Sequence, residues 1–417
     1  MAKVKKIIAH EILDSRGIPT IESIVELSDS SVGVYSVPAG LSVGKHEAVE
    51  LRDSDPKRYD GKGVLKALET IHSKIAPHVI GKDSQDQEAI DREMIKADGS
   101  EDKKNFGANS ILSISGAIAK AEAQSKNIPL YQYISKLLGE NKNSFAIPTP
   151  MFNILNGGAH GGGNLDFQEF LLVPQAAHSY STALRIGAEI YYALKQTIIS
   201  HSGIFLVGDE GGYAPTLYAN LDGFKLLEEG IARANYKLGL DVFLSLDVAA
   251  SHFKKGGSYK IKDRPVALSG SDFIDYYVTL NEQYHLLSLE DPLGEDDWGD
   301  WANLVRKMGN ETIIVGDDLT STNLTRLKKA IDEKAIGGII IKPNQVGTIT
   351  ETLEVVKAAK KAGLKIITSH RSGETNDPFI SDFAVGINCE YAKFGAPARG
   401  ERVAKYNRLL EIEHELS

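Results

Sequence analysis

Five short β-branched runs in the second half of the chain each end in polar residues. They are VFLSLD at Asp247, HLLSLED at Glu290, TIIVGDD at Asp317, GGIIIK at Lys342 and LKIITSH at His370. Helical patterns such as LTRLKKAIDEKA and TLEVVKAAKKAG lie between them. A strand, a loop and a crossover helix need roughly 30 residues, and most of the runs recur at about that spacing. This predicts βα repeats around a parallel sheet. The segment from Phe145 to Ser417 has about the length of an eightfold βα barrel. A doubly wound open sheet would carry a glycine-rich phosphate turn after its first strand, and none is present.

The earlier part of the chain reads differently. Its first 60 or so residues alternate apolar and polar positions between turn signals and predict strands. VLKALETIHSKIAPHVI and FGANSILSISGAIAKAEAQSKN then carry the three- and four-residue spacing of helices. The polar, proline-broken stretch from Leu137 to Pro150 marks the change of pattern. The expected division is an α+β domain over residues 1–138, capping a barrel domain over 139–417. The overall class is α/β.

Composition excludes several functions. With 47 Lys plus Arg against 56 Asp plus Glu, the net charge of −9 argues against sequence-blind nucleic-acid binding. The single cysteine, Cys389, rules out an intramolecular disulfide or a cysteine-built metal site and is expected in the core. No run approaches the roughly 18 apolar residues of a membrane span, and the first residues lack a signal-peptide core. The expected compartment is the cytoplasm.

Functional groups of a βα barrel converge where its strands end. Here those ends offer Asp247, Glu290 and Asp317, then Lys342 and His370. One acidic strand end is often only a helix N-cap. Three in one closed space would repel each other unless a cation sat between them, and an all-oxygen set points to Mg²⁺ or Mn²⁺. Lys342 ends a very apolar run, so desolvation is expected to lower its pKa and permit base chemistry. The competing reading is a lysine whose stem merely covers the barrel rim.

Two glycine-rich stretches are not nucleotide loops. ILNGGAHGGGN lacks the dinucleotide spacing and reads as a mobile loop carrying His160, followed by Gln168 and Glu169. PAGLSVGKHEA is one residue short of a Walker turn and reads as a lid with Ser42 at its tip. VGDEGGYAP sets Asp209 and Glu210 before a glycine pair; an exposed acidic turn is its bland reading. SHRSGET offers Arg371 and Ser372 as donors for a phosphate or carboxylate, with a helix N-cap as the alternative.

Taken in order, DSRGIPTIE, GLSVGKHEAVELRD, GANSILSISGAIAKA, NILNGGAHGGGN, QEF and VGDEGGYAP resemble the enolase family. So do LDVAAS, SLEDPLGEDDW, VGDDLTSTN, IKPNQVGT, SHRSGET and GAPARGERVAKYN. The resemblance covers almost the whole chain. It implies a small N-terminal domain against an eightfold barrel whose first units run ββαα. It also implies the reversible dehydration of 2-phosphoglycerate to phosphoenolpyruvate with two Mg²⁺, in a homodimer or homo-octamer.

By the same resemblance, Asp247, Glu290 and Asp317 correspond to ligands of the first metal and Ser42 to a ligand of the second. Glu290 and Asp317 also border the substrate. Lys342 corresponds to the general base, Glu210 to the general acid and Glu169 to its acidic partner. A close carboxylate pair raises one pKa and so keeps a proton available. Lys393 corresponds to the lysine that binds substrate carboxylate, Arg371 and Ser372 to phosphate contacts, and His160, His370 and Gln168 to further substrate contacts. This chain departs from the usual pattern at Ala39, Leu41 and Val43 in the lid, at Ile18, and at Pro343 after the base. Two alternatives share the pattern: a superfamily enzyme acting on another carboxylate, and a catalytically silent scaffold. The latter would be free to lose Lys342 or Glu210.

Overall fold

The computed structural model describes residues 1–40, 44–140, 144–163 and 165–417. Three antiparallel strands open the chain: β1 (Val4–Leu13), β2 (Pro19–Leu27) and β3 (Val32–Ser36). The long apolar helix Ala108–Ser125 lies across this sheet. Contact is close because Gly33 has no side chain: a Cβ there would sit 1.9 Å from the Ala117 carbonyl oxygen. The helix expected over residues 64–80 forms as Leu65–Thr70, Ile71–Ile75 and Ala76–Val79, its middle turn being π-helical.

The second unit is a closed eight-stranded barrel, as the spacing of the runs predicted. Its strands are β4 (Thr149–Asn156), β5 (Glu169–Pro174), β6 (Val242–Asp247), β9 (Ser288–Glu290), β10 (Ile313–Gly316), β11 (Gly338–Ile341), β12 (Lys365–Ser369) and β13 (Tyr391–Lys393). A small hairpin of β7 (Lys254–Lys255) and β8 (Ser258–Tyr259) lies outside it. Two helices, Tyr180–Ser200 and Asn220–Arg233, follow β5 before β6, giving the ββαα opening that the resemblance implied. Met151, Leu171, Val173, Val315, Ile340 and Ile367 fill the barrel interior, while the alternate residues Ile339 and Ile341 join the larger core outside it.

One strand breaks the parallel pattern. β5 runs antiparallel to both β4 and β6. Its first residue, Glu169, therefore reaches the rim where the other strands present their last ones, directly opposite Asp247. Asp247 in turn pairs with Glu290 on β9.

The two units meet through apolar packing, as where Tyr35 stands edge-on to Phe379, and through polar contacts. Ser115 Oγ and Asp91 accept from the Ile349 and Thr350 amides at the start of the helix Ile349–Lys361. Asn344 donates to the Pro38 carbonyl, and the Ala48 amide donates to that of Gln345. No helix among the described residues is long and apolar enough to cross a membrane. Cys389 is buried, and burial pushes its thiol up to about 12.

Candidate active site

The rim gathers the candidate residues around one small cavity of about 40 Å³. Lys342, Lys393, Asp317, Asp247, Glu169 and Gln168 contribute to its lining, as do Glu210, His160, His370, Arg371 and Ser372. Glu290 stands behind it, bonded to Lys393. Ser42, with Leu41 and Val43, lies outside the described residues.

On one wall, lysines neutralise the carboxylates. Lys393 Nζ donates to Asp247 Oδ2 at 2.9 Å and to both oxygens of Glu290 at 2.9 and 2.8 Å, with Glu169 Oε2 3.3 Å away. Lys342 Nζ is ion-paired with Asp317 Oδ2. These two ammonium groups offset part of the negative charge of the three crowded carboxylates. Desolvation was expected to lower the pKa of Lys342, and here that expectation fails. Burial is the strongest single influence and acts in that direction, but the nearby acids, Asp317 first and then Glu290, together outweigh it and the pKa is raised. Burial also pushes the Glu290 carboxyl well above its usual range, helped by the charge of Asp247.

Beside this wall, Asp291, Asp317 and Asp318 bring ligand oxygens within 4.8 Å of one another. Asp291 accepts from the Asp317 and Asp318 amides at 3.0 and 2.8 Å, so its carboxylate folds the turn after β10. Burial, then the charges of its two neighbours, hold its pKa well up. Burial and Asp317 raise Asp318 to about 7. An all-carboxylate set carrying surplus negative charge fits a hard divalent cation. Asp291 and Asp318 were not singled out from the sequence. The available signal was doubling, since an acid follows both Glu290 and Asp317.

The opposite wall is built on histidines. His160 Nδ1 stands between two carboxylates, 3.3 Å from Glu169 Oε1 and 3.5 Å from Glu210 Oε2. Burial disfavours its charge, yet Glu210 and Glu169 raise its pKa to about 9. Glu210 is 2% exposed, which removes the reading of an exposed acidic turn. It accepts from Ser372 Oγ at 2.9 Å and Asn153 Nδ2 at 3.0 Å. Ser372 thus serves the site rather than a helix cap.

The carboxylate pair has one raised member, but it is Glu169. Burial and the charge of Glu210 bring Glu169 to about 7. Burial acts the same way on Glu210, yet the imidazolium of His160 and the donor from His370 outweigh it and hold Glu210 well below the usual range. The two carboxyls titrate as a pair, with Glu169 as the raised member and Glu210, the expected acid, as the lowered one. His370 is pushed down to about 3 by burial, with the charge of Arg402 adding to it.

Arg371 closes the cavity. Its guanidinium makes a two-pronged pair with Glu47 at 2.8 and 3.1 Å and donates to Asn344 Oδ1 at 3.0 Å. Both partners of the pair are 5% exposed at the side chain. Several buried polar atoms remain without hydrogen-bond partners among the described residues, including Gln168 Oε1. Buried groups in that condition mark a place where a ligand or water completes the set.

Two family models match this chain. Enolase, N-terminal domain, matches residues 4–134, and Enolase, C-terminal TIM barrel domain, matches residues 144–417. The chain belongs to the enolase family. As an enolase-family enzyme it falls among lyase-type, typically metal-dependent proteins, consistent with the acidic clusters on its barrel rim. Pro343, one of its departures, is the first residue of the short helix Pro343–Val346. Its missing N–H falls where a helix has no internal acceptor for one.

Proposed function

We propose that this chain catalyses the reversible, Mg²⁺-dependent dehydration of 2-phosphoglycerate to phosphoenolpyruvate, in the cytoplasm and as a homo-oligomer. The observation that carries the reading is the division of labour around one cavity. A lysine–carboxylate wall, a histidine-bridged pair of carboxylates and a buried arginine fork all line it.

Arg371 and Ser372 suit the phosphate, with the fork presenting two parallel N–H groups to two oxygens. Substrate must displace Glu47 from that fork, because 40 Å³ has no room for a phosphate ester. Lys393 suits the substrate carboxylate. Asp247, Glu290 and Asp317 would hold one divalent cation and Ser42 would help hold a second. When bound, these cations would stabilise the negative charge that develops as the proton leaves C2.

Lys342 is the base in this reading. It can take the C2 proton only after Asp317 is engaged elsewhere, since their ion pair holds Nζ protonated. Once that partner is engaged elsewhere, burial and the charges of Arg371 and Lys393 draw the amine's pKa down against the charge of Glu290. On the other wall, Glu169, His160 and Glu210 share a proton across contacts of 3.3 and 3.5 Å. Glu210 then delivers it to the leaving 3-hydroxyl, with Glu169 as the store that refills it.

The test is the ultraviolet absorbance of phosphoenolpyruvate formed from 2-phosphoglycerate with Mg²⁺, then with excess EDTA. A rise that EDTA stops is expected. A flat trace from folded, metal-loaded protein would overturn the reading and favour a silent scaffold.

A further inference from the structure

Arg402 is fully buried in the C-terminal helix Gly400–Leu416 and does not line the cavity. Its guanidinium nevertheless grips both loops that frame Glu210. Nη1 donates to the Arg371 carbonyl at 2.6 Å and to His370 Nδ1 at 2.8 Å. Nη2 donates to the Ser372 and Asp209 carbonyls at 2.6 and 3.1 Å. Room for this approach depends on Gly395, at φ +89°. A Cβ there would stand 2.9 Å from the His370 ring and 3.0 Å from Arg402 Cδ.

A guanidinium has donors and no acceptor. The ring nitrogen that faces it must therefore offer a lone pair. We infer that Arg402 is a positioning residue that fixes His370 as the Nε2–H tautomer, so that a neutral imidazole points its one N–H at Glu210. The Nε2 to Glu210 Oε2 distance is 3.4 Å. Turning the ring over would set Cδ2–H against Arg402 and waste the donor. A second proton on the ring would place N–H against N–H. The charged groups acting on His370 are Arg402 and Lys393, which oppose its protonation, and Glu210, which favours it.

The two histidines beside Glu210 thus become unlike. His160 belongs to the set that shares a proton with Glu169 and Glu210, whereas His370 is a fixed donor outside that set. The catalytic consequence rests on the proposed function, but the tautomer does not.

Long-range proton–nitrogen NMR of the labelled full-length protein reads the tautomer directly, with His370→Gln used to assign the signal. The expected ring has an unprotonated Nδ1 and a protonated Nε2, and does not titrate near neutral pH. A protonated Nδ1, or a ring that titrates there, would overturn the inference. Arg402→Met should mix the tautomers, and Arg402→Lys should partly restore the original one. If Arg402→Met does not fold, the unmodified spectrum still decides. In a folded Arg402→Met enzyme, dehydration should fall by about 10²-fold, the lower end of a positioned proton donor's contribution. Exchange of the C2 proton should fall much less, and equal losses would count against the positioning role. A protein with this tautomer but no dehydration would remove the proposed function and leave the tautomer standing.

Discussion

The two walls of the cavity both bury carboxylates and neutralise them by opposite means. On the β6, β9 and β10 side, the partners are Lys393 and Lys342, both held protonated by their neighbours. On the other side the partner is His160, at about 9, with Glu169 at about 7. The first wall is therefore a framework of fixed charge that changes only when one cation replaces another. The second is a proton store that working pH can fill or empty. The proposed dehydration needs both: charge to hold an enolate, and a proton to release a hydroxyl.

The sharpest way to break this contrast is Lys342→Ala. It should abolish exchange of the C2 proton and lower turnover by about 10⁴-fold, the upper end for a general base; retained exchange would place the base elsewhere. Glu210→Gln should slow dehydration by about 10²-fold or more while leaving C2 exchange much less affected. If both steps fell equally, the walls would not be separate devices.

Stability of the metal-free protein should also report the second wall. The folded pKa of His160 lies above its ordinary 6.5, so its contribution is fully present below pH 6.5 and is lost as pH rises to about 9. A shift of that size corresponds to about 3 kcal/mol. Thermal unfolding of the unmodified chain should thus weaken across that window, and His160→Gln should flatten the slope. Parallel curves would assign the slope to other groups. The smallest expected effect belongs to the lid side. Glu47→Gln frees the Arg371 fork and should tighten inorganic phosphate binding several-fold; weaker binding would mean that Glu47 orients the guanidinium.

Much of this was legible in the sequence, and the failures have physical causes. Asp247, Glu290, Lys342 and His370 stand at strand ends because apolar runs must stop where the barrel meets solvent. The direction of β5 was invisible to periodicity. EFLLVP is buried along its whole length, and such a run looks the same whichever way it crosses a sheet. Lys342 was misjudged because sequence conveys the apolar strand before it but not Asp317, 25 positions upstream, which pairs with it. Asp291 was hidden because the residue after a strand end should face away from its neighbour. Here its backbone takes a left-handed turn, φ 41°, and brings the carboxylate back.

The pairing of β13 with β4 carries a consequence for how the molecule assembles. β4 ends at Asn156 and its neighbour β5 begins at Glu169, whereas Tyr391 must find Thr149 across nearly the whole barrel domain. Such long-range closure is the slow part of a folding reaction, and pulse-labelled hydrogen exchange should find β4–β6 protected before β13. The strand expected to arrive late carries Lys393, the only ammonium among the described residues within 3.3 Å of Glu169, Asp247 and Glu290 together. Until it docks, Glu169, Asp247 and Glu290 lack the ammonium that reaches all three. Docking of that strand completes the charge balance of this part of the rim, and it acts as the keystone.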